Sequence, residues 1–212
     1  MPISNLPAAL TAARPLVRLM ENGGRFYAHP YPDAKGVWTI GTGHTRWNGA
    51  PVTASTPPIT PAQDDAALDV DLAACVAAIN AHVQRLLDPL QSAALLDLIY
   101  NVGPHPVIIP GGVGALINAG RMALAANNFT LWNMAGGHVL PDLVARRALE
   151  REIFLGFTDP TDAAALMSAW VRLRANAANG LKSPPVISNP AAASQPTQDE
   201  ADILMNRYNP GA

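Results

Sequence analysis

Two carboxylates, a threonine and a histidine fall within one short stretch, residues 21–45, which reads ENGGRFYAHPYPDAKGVWTIGTGHT. Glu21 follows an apolar-basic segment in which Leu16, Val17 and Met20 recur at helical spacing, and Asn22-Gly23-Gly24 then gives a helix stop. The reading puts Glu21 in a last helical turn, where the negative end of the macrodipole disfavours an ionised carboxylate. Asp33 belongs to a Pro- and Asp-rich turn and is expected at its edge as a charged group. Thr39 follows on the return strand, with a hydroxyl that donates and accepts and so can hold a water. One carboxyl inclined to keep its proton, opposite one that is charged, suits glycosidic cleavage. The first protonates the leaving oxygen, and the second activates water or stabilises the oxocarbenium-like state. His44 has two readings, a titrating group in the site or a hydrogen-bonded structural residue.

The elements that must hold these groups can be read in order. Runs at 26–28 and 37–40 are β-prone and flank the turn that ends in Gly36, which predicts a hairpin. Residues 46–60 read as a surface loop. A long helix then opens with Thr60 as N-cap, Pro61 in its first turn, and Asp64 and Asp65 near the positive end of the dipole. Its apolar face carries Leu68, Leu72, Cys75 or Val76, Ile79, Val83 and Leu86, with Cys75 read as a small buried apolar residue. Asn101 lies just before Gly103, a position that suits a helix C-cap. The Pro-rich apolar stretch 104–114 has no readable role. Helix is expected over 115–126 with a break at 118–120, and again over 158–176 with Leu166, Met167, Trp170 and Leu173 along one face. Residues 179–198 read as a linker or extended strap, and Ile203, Leu204 and Tyr208 mark a last helical turn. The predicted division is a catalytic domain at 1–157 and a C-terminal extension at 158–212.

Composition narrows the partners. The chain has 212 residues, 49% of them hydrophobic, and a net charge of -2, so it can bury a full core and carries no general positive field for nucleic acid or anionic membrane. With one cysteine, no internal disulfide and no cysteine ligand set can form. No metal or cofactor is implied. The first 20 residues hold Pro2, Pro7, Pro15, Arg14 and Arg18, which leaves no apolar core for an export signal. Residues 98–120 lack formal charge, but Pro104, Pro106, Pro110 and five glycines argue against a membrane-spanning helix. A monomer without stable membrane insertion is expected.

Around the two carboxylates the chain resembles the phage-type lysozymes, or endolysins, of glycoside hydrolase family 24. The similarity rests on Glu21-Asn22-Gly23, Tyr31-Pro32-Asp33, Gly36, and Thr39-Ile40-Gly41-Thr42-Gly43-His44, with a Glu21-to-Asp33 gap longer than the family's. It continues through Gln91, Ala94-Leu95 and Asn101-Val102-Gly103, then Phe129, Trp132 and Gly136-Gly137, then Leu143, Arg146-Arg147 and Glu150. The resemblance implies an α+β, mainly helical, two-lobed fold: a small β-hairpin lobe, a long linking helix and a helical C-terminal lobe. It implies a muramidase that cleaves the β-1,4 bond between N-acetylmuramic acid and N-acetylglucosamine with inversion, acting on peptidoglycan glycan strands. Glu21 is then the acid, and Asp33 with Thr39 holds the water. One arginine, Arg147, is expected to reach Glu21, opposing the helix-end effect. Asn101 is either a helix cap or a cleft contact, and Trp132 is a core residue or a sugar platform. The enzyme is expected in the host bacterial cytoplasm until a holin-type lesion releases it to the wall. A lytic transglycosylase, or an inactive wall-binding or virion structural protein, are the competing readings.

Overall fold

The structure is a computed structural model that describes residues 1–33 and 36–180. Helix α1 (Leu6–Asn22) is capped by Asn5, whose side chain accepts from the Ala8 amide at 3.1 Å. It begins well before the segment that spacing alone marks, and it runs through Pro15. Ala9, Ala12, Ala13, Leu16 and Val17 are all buried, and that packing outweighs the one backbone hydrogen bond the proline removes.

The hairpin is shorter than expected. Strand β1 (Tyr31–Pro32) pairs antiparallel with β2 (Trp38–Thr39), Tyr31 opposite Thr39. The turn is closed by the Asp33 amide donating to Val37 O and the Gly36 amide donating to Asp33 O, each at 2.9 Å. This closure fixes the register, so residues 26–28 are left out of the ladder. The Tyr27 carbonyl instead accepts from Gly41, and that of Ala28 from Ile59. The expected loop at 46–60 contains a second hairpin, β3 (Arg46–Trp47) with β4 (Ala50–Pro51). Its two turn residues, Asn48 and Gly49, both have positive φ, the mirror-image turn that suits strand twist. Ile40, Val52 and Ile59, with Trp38 and Trp47 against them, form this lobe's own small core.

Helix α2 (Pro61–His82) links the lobes and starts with a reciprocal cap between Thr60 and Gln63. Leu68, Leu72, Cys75 and Ile79 are buried along one face as expected, whereas Leu86 lies past the Val83 cap and is exposed. Helix α3 (Pro89–Val102), capped by Asp88 with Gln91, runs through the centre of the second lobe and packs on α1. The Pro-rich stretch forms a short helix, α4 (His105–Ile108), before α5 (Val113–Asn118) and α6 (Met122–Asn128), which are separated by the expected break at Gly120. A 3-10 turn (Phe129–Leu131) buries Phe129 against Phe154, and a small hairpin, β5 (Met134–Ala135) with β6 (His138–Val139), leads into α7 (Pro141–Phe154). Trp132 is partly buried against the main core, the core reading of that residue.

Helix α8 (Ala163–Ala178) is capped by Asp162 and packs along α7. Leu166, Ala169 and Leu173 join the main core and Trp170 packs against it, while Met167 stays exposed. The strap expected at 179–198, apart from its first two residues, and the helical turn with Ile203, Leu204 and Tyr208 lie outside the described residues. The architecture is the mainly helical, two-lobed one that the sequence suggested. Among the described residues no helix is long and apolar enough to cross a membrane.

Candidate active site

Glu21 occupies the last turn of α1. Gly23 follows at φ 67°, its amide returning to Leu19 O, while that of Gly24 returns to Arg18 O, which ends the helix sharply. The Glu21 side chain keeps 29% of its surface exposed, and its Oε1 lies 2.9 Å from Nη1 of Arg146 on α7. The residue that reaches it is therefore Arg146 and not the expected Arg147. Neighbouring helical side chains point about 100° apart, so only one of an adjacent pair can face α1. Arg147 is fully buried and donates instead to Asn101 Oδ1 at 2.7 Å, with Glu150 Oε1 3.0 Å away. Asn101 accordingly holds Arg147 from within the last turn of α3, and is itself exposed.

Arg146 also grips a residue absent from the sequence reading, Asp97 on α3, through Nε to Oδ2 at 3.0 Å and Nη2 to Oδ1 at 2.8 Å. Burial works to raise the Asp97 carboxyl, but the Arg146 charge, hydrogen bonds with Glu150 and Arg146, and the Arg147 charge together outweigh it and hold the group below the usual range. Burial likewise works to lower the Arg146 guanidinium, and Asp97, Glu150 and Glu21 together push it up. Glu150 is fully buried and is pushed well up by that burial, with the Arg147 charge opposing.

Asp33 closes its turn from both ends. Its Oδ1 accepts from the Val37 amide at 2.8 Å while its backbone bonds to Val37 and Gly36. Thr39 is buried and its hydroxyl donates to Val37 O at 3.0 Å, which leaves the oxygen lone pairs as acceptors. The return strand then docks on the end of α1. Asn22 Nδ2 donates to Gly41 O at 3.2 Å, and a Cβ on Gly43 would meet Glu21 Cβ at 4.0 Å. Tyr31 senses both carboxylates: burial first, then Tyr27, Asp33 and Glu21, push its hydroxyl up. Tyr27 and Tyr31 stack with centroids 4.4 Å apart.

His44 lies between two acids of α2. It is buried, with Nδ1 2.9 Å from Asp71 Oδ2 and Nε2 3.3 Å from Asp64 Oδ1. Burial works to lower its pKa, but hydrogen bonds to Asp64 and Asp71 prevail and push it up to about 9. Asp64, read from sequence as a helix-dipole residue, is fully buried and anchors the glycine-rich loop. It accepts the Thr42 amide and hydroxyl, both at 2.7 Å, and Arg18 Nη2 at 2.9 Å. Burial alone would raise its carboxyl; these donors and His44 hold it well below the ordinary range. Gly41, at φ 58°, is the residue that lets Asp64 in, because a Cβ there would lie 2.1 Å from Asp64 Oδ1. The sequence does hold a signal for both missed acids: Asp64 follows the N-cap by four residues and Asp97 interrupts the apolar run Leu95-Leu96-Asp97-Leu98-Ile99. Among the described residues no group of His, Cys, Asp and Glu is arranged to hold a metal ion.

A family model described as phage lysozyme matches residues 22–150. Over 136 residues the chain is 36% identical to the endolysin of Salmonella phage P22, covering 64% of this chain and 90% of that protein. It is 34% identical over 126 residues to a protein named SAR-endolysin from Enterobacteria phage P21, covering 59% of this chain and 73% of that one. Among solved structures, the P22 lysozyme mutant L86M superposes with a TM-score of 0.59 at 30% identity, over 73% of this chain and 99% of that one. The muramidase domain of SpmX from Asticaccaulis excentricus gives a TM-score of 0.50 at 31% identity, over 68% and 97%. With a family match over more than half its length, and a relative matched over nine-tenths of its own, the chain belongs to the phage lysozyme family and is a glycoside hydrolase of the muramidase type.

Proposed function

We propose that this enzyme hydrolyses the β-1,4 bond between N-acetylmuramic acid and N-acetylglucosamine in peptidoglycan, with Glu21 as the acid that protonates the leaving oxygen. Asp33 and Thr39 position the attacking water, Asp33 also stabilising the oxocarbenium-like state. One observation carries this reading: the loop leading on from Thr39 docks on the helix end that bears Glu21, through Asn22 to Gly41 and Gly43 to Glu21. This docking supports a shared site for the partly exposed Glu21 carboxyl and the Asp33 turn, and Tyr31, whose hydroxyl is pushed up by burial and by both carboxylates, supports it too. By family resemblance the reaction inverts the anomeric carbon, which needs room for a water between the two carboxyls. The enzyme acts as a monomer and reaches the wall after a holin-type lesion opens the host membrane.

The test is digestion of purified peptidoglycan by the wild-type chain, read by reducing-end release and product mass. Hydrated muropeptides with new reducing ends support hydrolysis. Anhydro products establish a transglycosylase, and binding to the wall without any product establishes an inactive binding protein.

A further inference from the structure

Behind the catalytic pair, three acids from three helices converge on two guanidinium groups. Glu21 comes from α1, Asp97 from α3 and Glu150 from α7, and they face Arg146 and Arg147 of α7. Asn101 of α3 completes the group on Arg147, and Tyr100 of α3 lies within the field of Glu21 and Arg146. Asp97 has no exposed surface and stands between Leu96 and Leu98, which have none either. A buried carboxylate in such a place costs several kcal/mol unless it is paired with good geometry, on the order given by burial of ions. Its pairing is of that quality: both Asp97 oxygens meet two nitrogens of Arg146, at 3.0 and 2.8 Å. The remaining terminal nitrogen, Nη1, is the one on Glu21.

We propose that Asp97 is a positioning residue for the catalytic acid: its fork on Arg146 fixes the guanidinium so that Nη1 meets Glu21, and it takes up most of the guanidinium charge. Glu21 is thereby held in place without being bound as a full ion-pair partner. The charge count supports the second half. Glu150 is pushed by burial toward its neutral form and hydrogen-bonds Asp97, so Asp97 and Glu21 are the two anions that share Arg146, and neutralising one leaves more of the cation for the other. Glu150, already pushed toward its neutral form, also lies nearer Arg147, at 3.0 Å against 3.5 Å to Arg146, which makes Asp97 the principal competitor of Glu21 for Arg146. Without the Asp97 charge, Arg146 offers its charge to Glu21 and favours the ionised form, which cannot protonate a leaving group.

This inference rests on Glu21 being the acid, and the experiment separates the two. Activity of the full chain on soluble peptidoglycan fragments is followed from pH 4 to 9 for the wild type, Asp97→Asn and Asp97→Glu. Asp97→Asn is expected to lower kcat about tenfold at pH 7 with KM changed less than about twofold, and to move the alkaline limb of activity about one unit toward acid. Asp97→Glu, which keeps the charge, is expected to return that limb toward the wild-type position. A folded Asp97→Asn enzyme whose alkaline limb stays at the wild-type pH overturns the proposal, as does a loss of equal proportion at every pH, the pattern of a purely structural role. Carboxyl carbon NMR of the wild type gives a second reading that needs neither a variant nor activity. Asp97 is expected to stay ionised down through the ordinary carboxylate range, and an Asp97 carboxyl that takes up its proton above that range overturns the proposal. If the wild type releases no products at any pH, the muramidase reading fails, and the NMR titration of Asp97 still decides the pairing.

Discussion

His44 carries a pH-dependent share of stability whose size follows from its surroundings. Its pKa rises from an ordinary 6.5 to about 9 in the folded chain, since Asp64 and Asp71 hold the imidazolium against the opposing effect of burial. A raised pKa contributes stability that is fully present below the unfolded value, near 6.5, and is lost as pH climbs through the folded value, near 9. At about 1.4 kcal/mol per pKa unit the shift corresponds to about 3 kcal/mol. Asp71 is 43% exposed, so solvent screening brings the expected loss between pH 6 and pH 9 to about 2 kcal/mol. Urea unfolding at closely spaced pH values measures it, with His44→Gln as the comparison. The variant is expected to be less stable at pH 6 and to lack the decline toward pH 9. Cys75, whose thiol burial pushes up to about 11, adds a loss of the same sign above its ordinary range, but in both chains, so it cancels in the difference. A wild type equally stable at pH 6 and 9, or a variant that keeps the full decline, refutes the reasoning.

Gly41→Ala places a Cβ 2.1 Å from Asp64 Oδ1 at a backbone angle of φ 58°, and is expected to cost about 3 kcal/mol or more by thermal or urea unfolding. Gly23→Ala, at φ 67° with nothing within 4 Å of the new carbon, is expected to cost only the backbone penalty of about 1 to 2 kcal/mol. Leu173→Ala opens a hole where α8 joins the main core, and is expected to lower the stability of the whole unfolding transition by about 2 to 4 kcal/mol. A separate early transition with the main one unchanged would instead show α8 melting as an appendage, in keeping with a domain boundary near residue 157.

The parts of the candidate site that were legible in sequence are those whose chemistry is local. Glu21 before Asn22-Gly23, Asp33 in its turn and Thr39 ahead of Ile40-Gly41 are read from neighbours in the chain, and the helix stop and turn they imply are present. What was not legible depends on which side chains meet across the fold. Nothing local distinguishes Arg146 from Arg147 in a charged helix, because the choice depends on how α7 is rotated against α1 and α3. Asp64 read only as a helix-start charge and Asp97 drew no reading, because their partners come from 22 and 49 residues away. The hairpin at Asn48-Gly49 did carry a local signal, but its two-residue strands lie in a Pro- and Thr-rich stretch that reads as loop. The start of α1 at Leu6 was not legible either, since burial of an alanine-rich face extends the helix back beyond the Leu16, Val17 and Met20 spacing and through Pro15.

The most direct test of the two-carboxylate account is the rate of muropeptide release from purified peptidoglycan by the wild type, Glu21→Gln and Asp33→Asn, with each variant's folding checked. The account predicts hydrated products from the wild type and losses of at least about 100-fold in both variants. An Asp33→Asn enzyme that keeps near wild-type turnover, or anhydro products from the wild type, would contradict it.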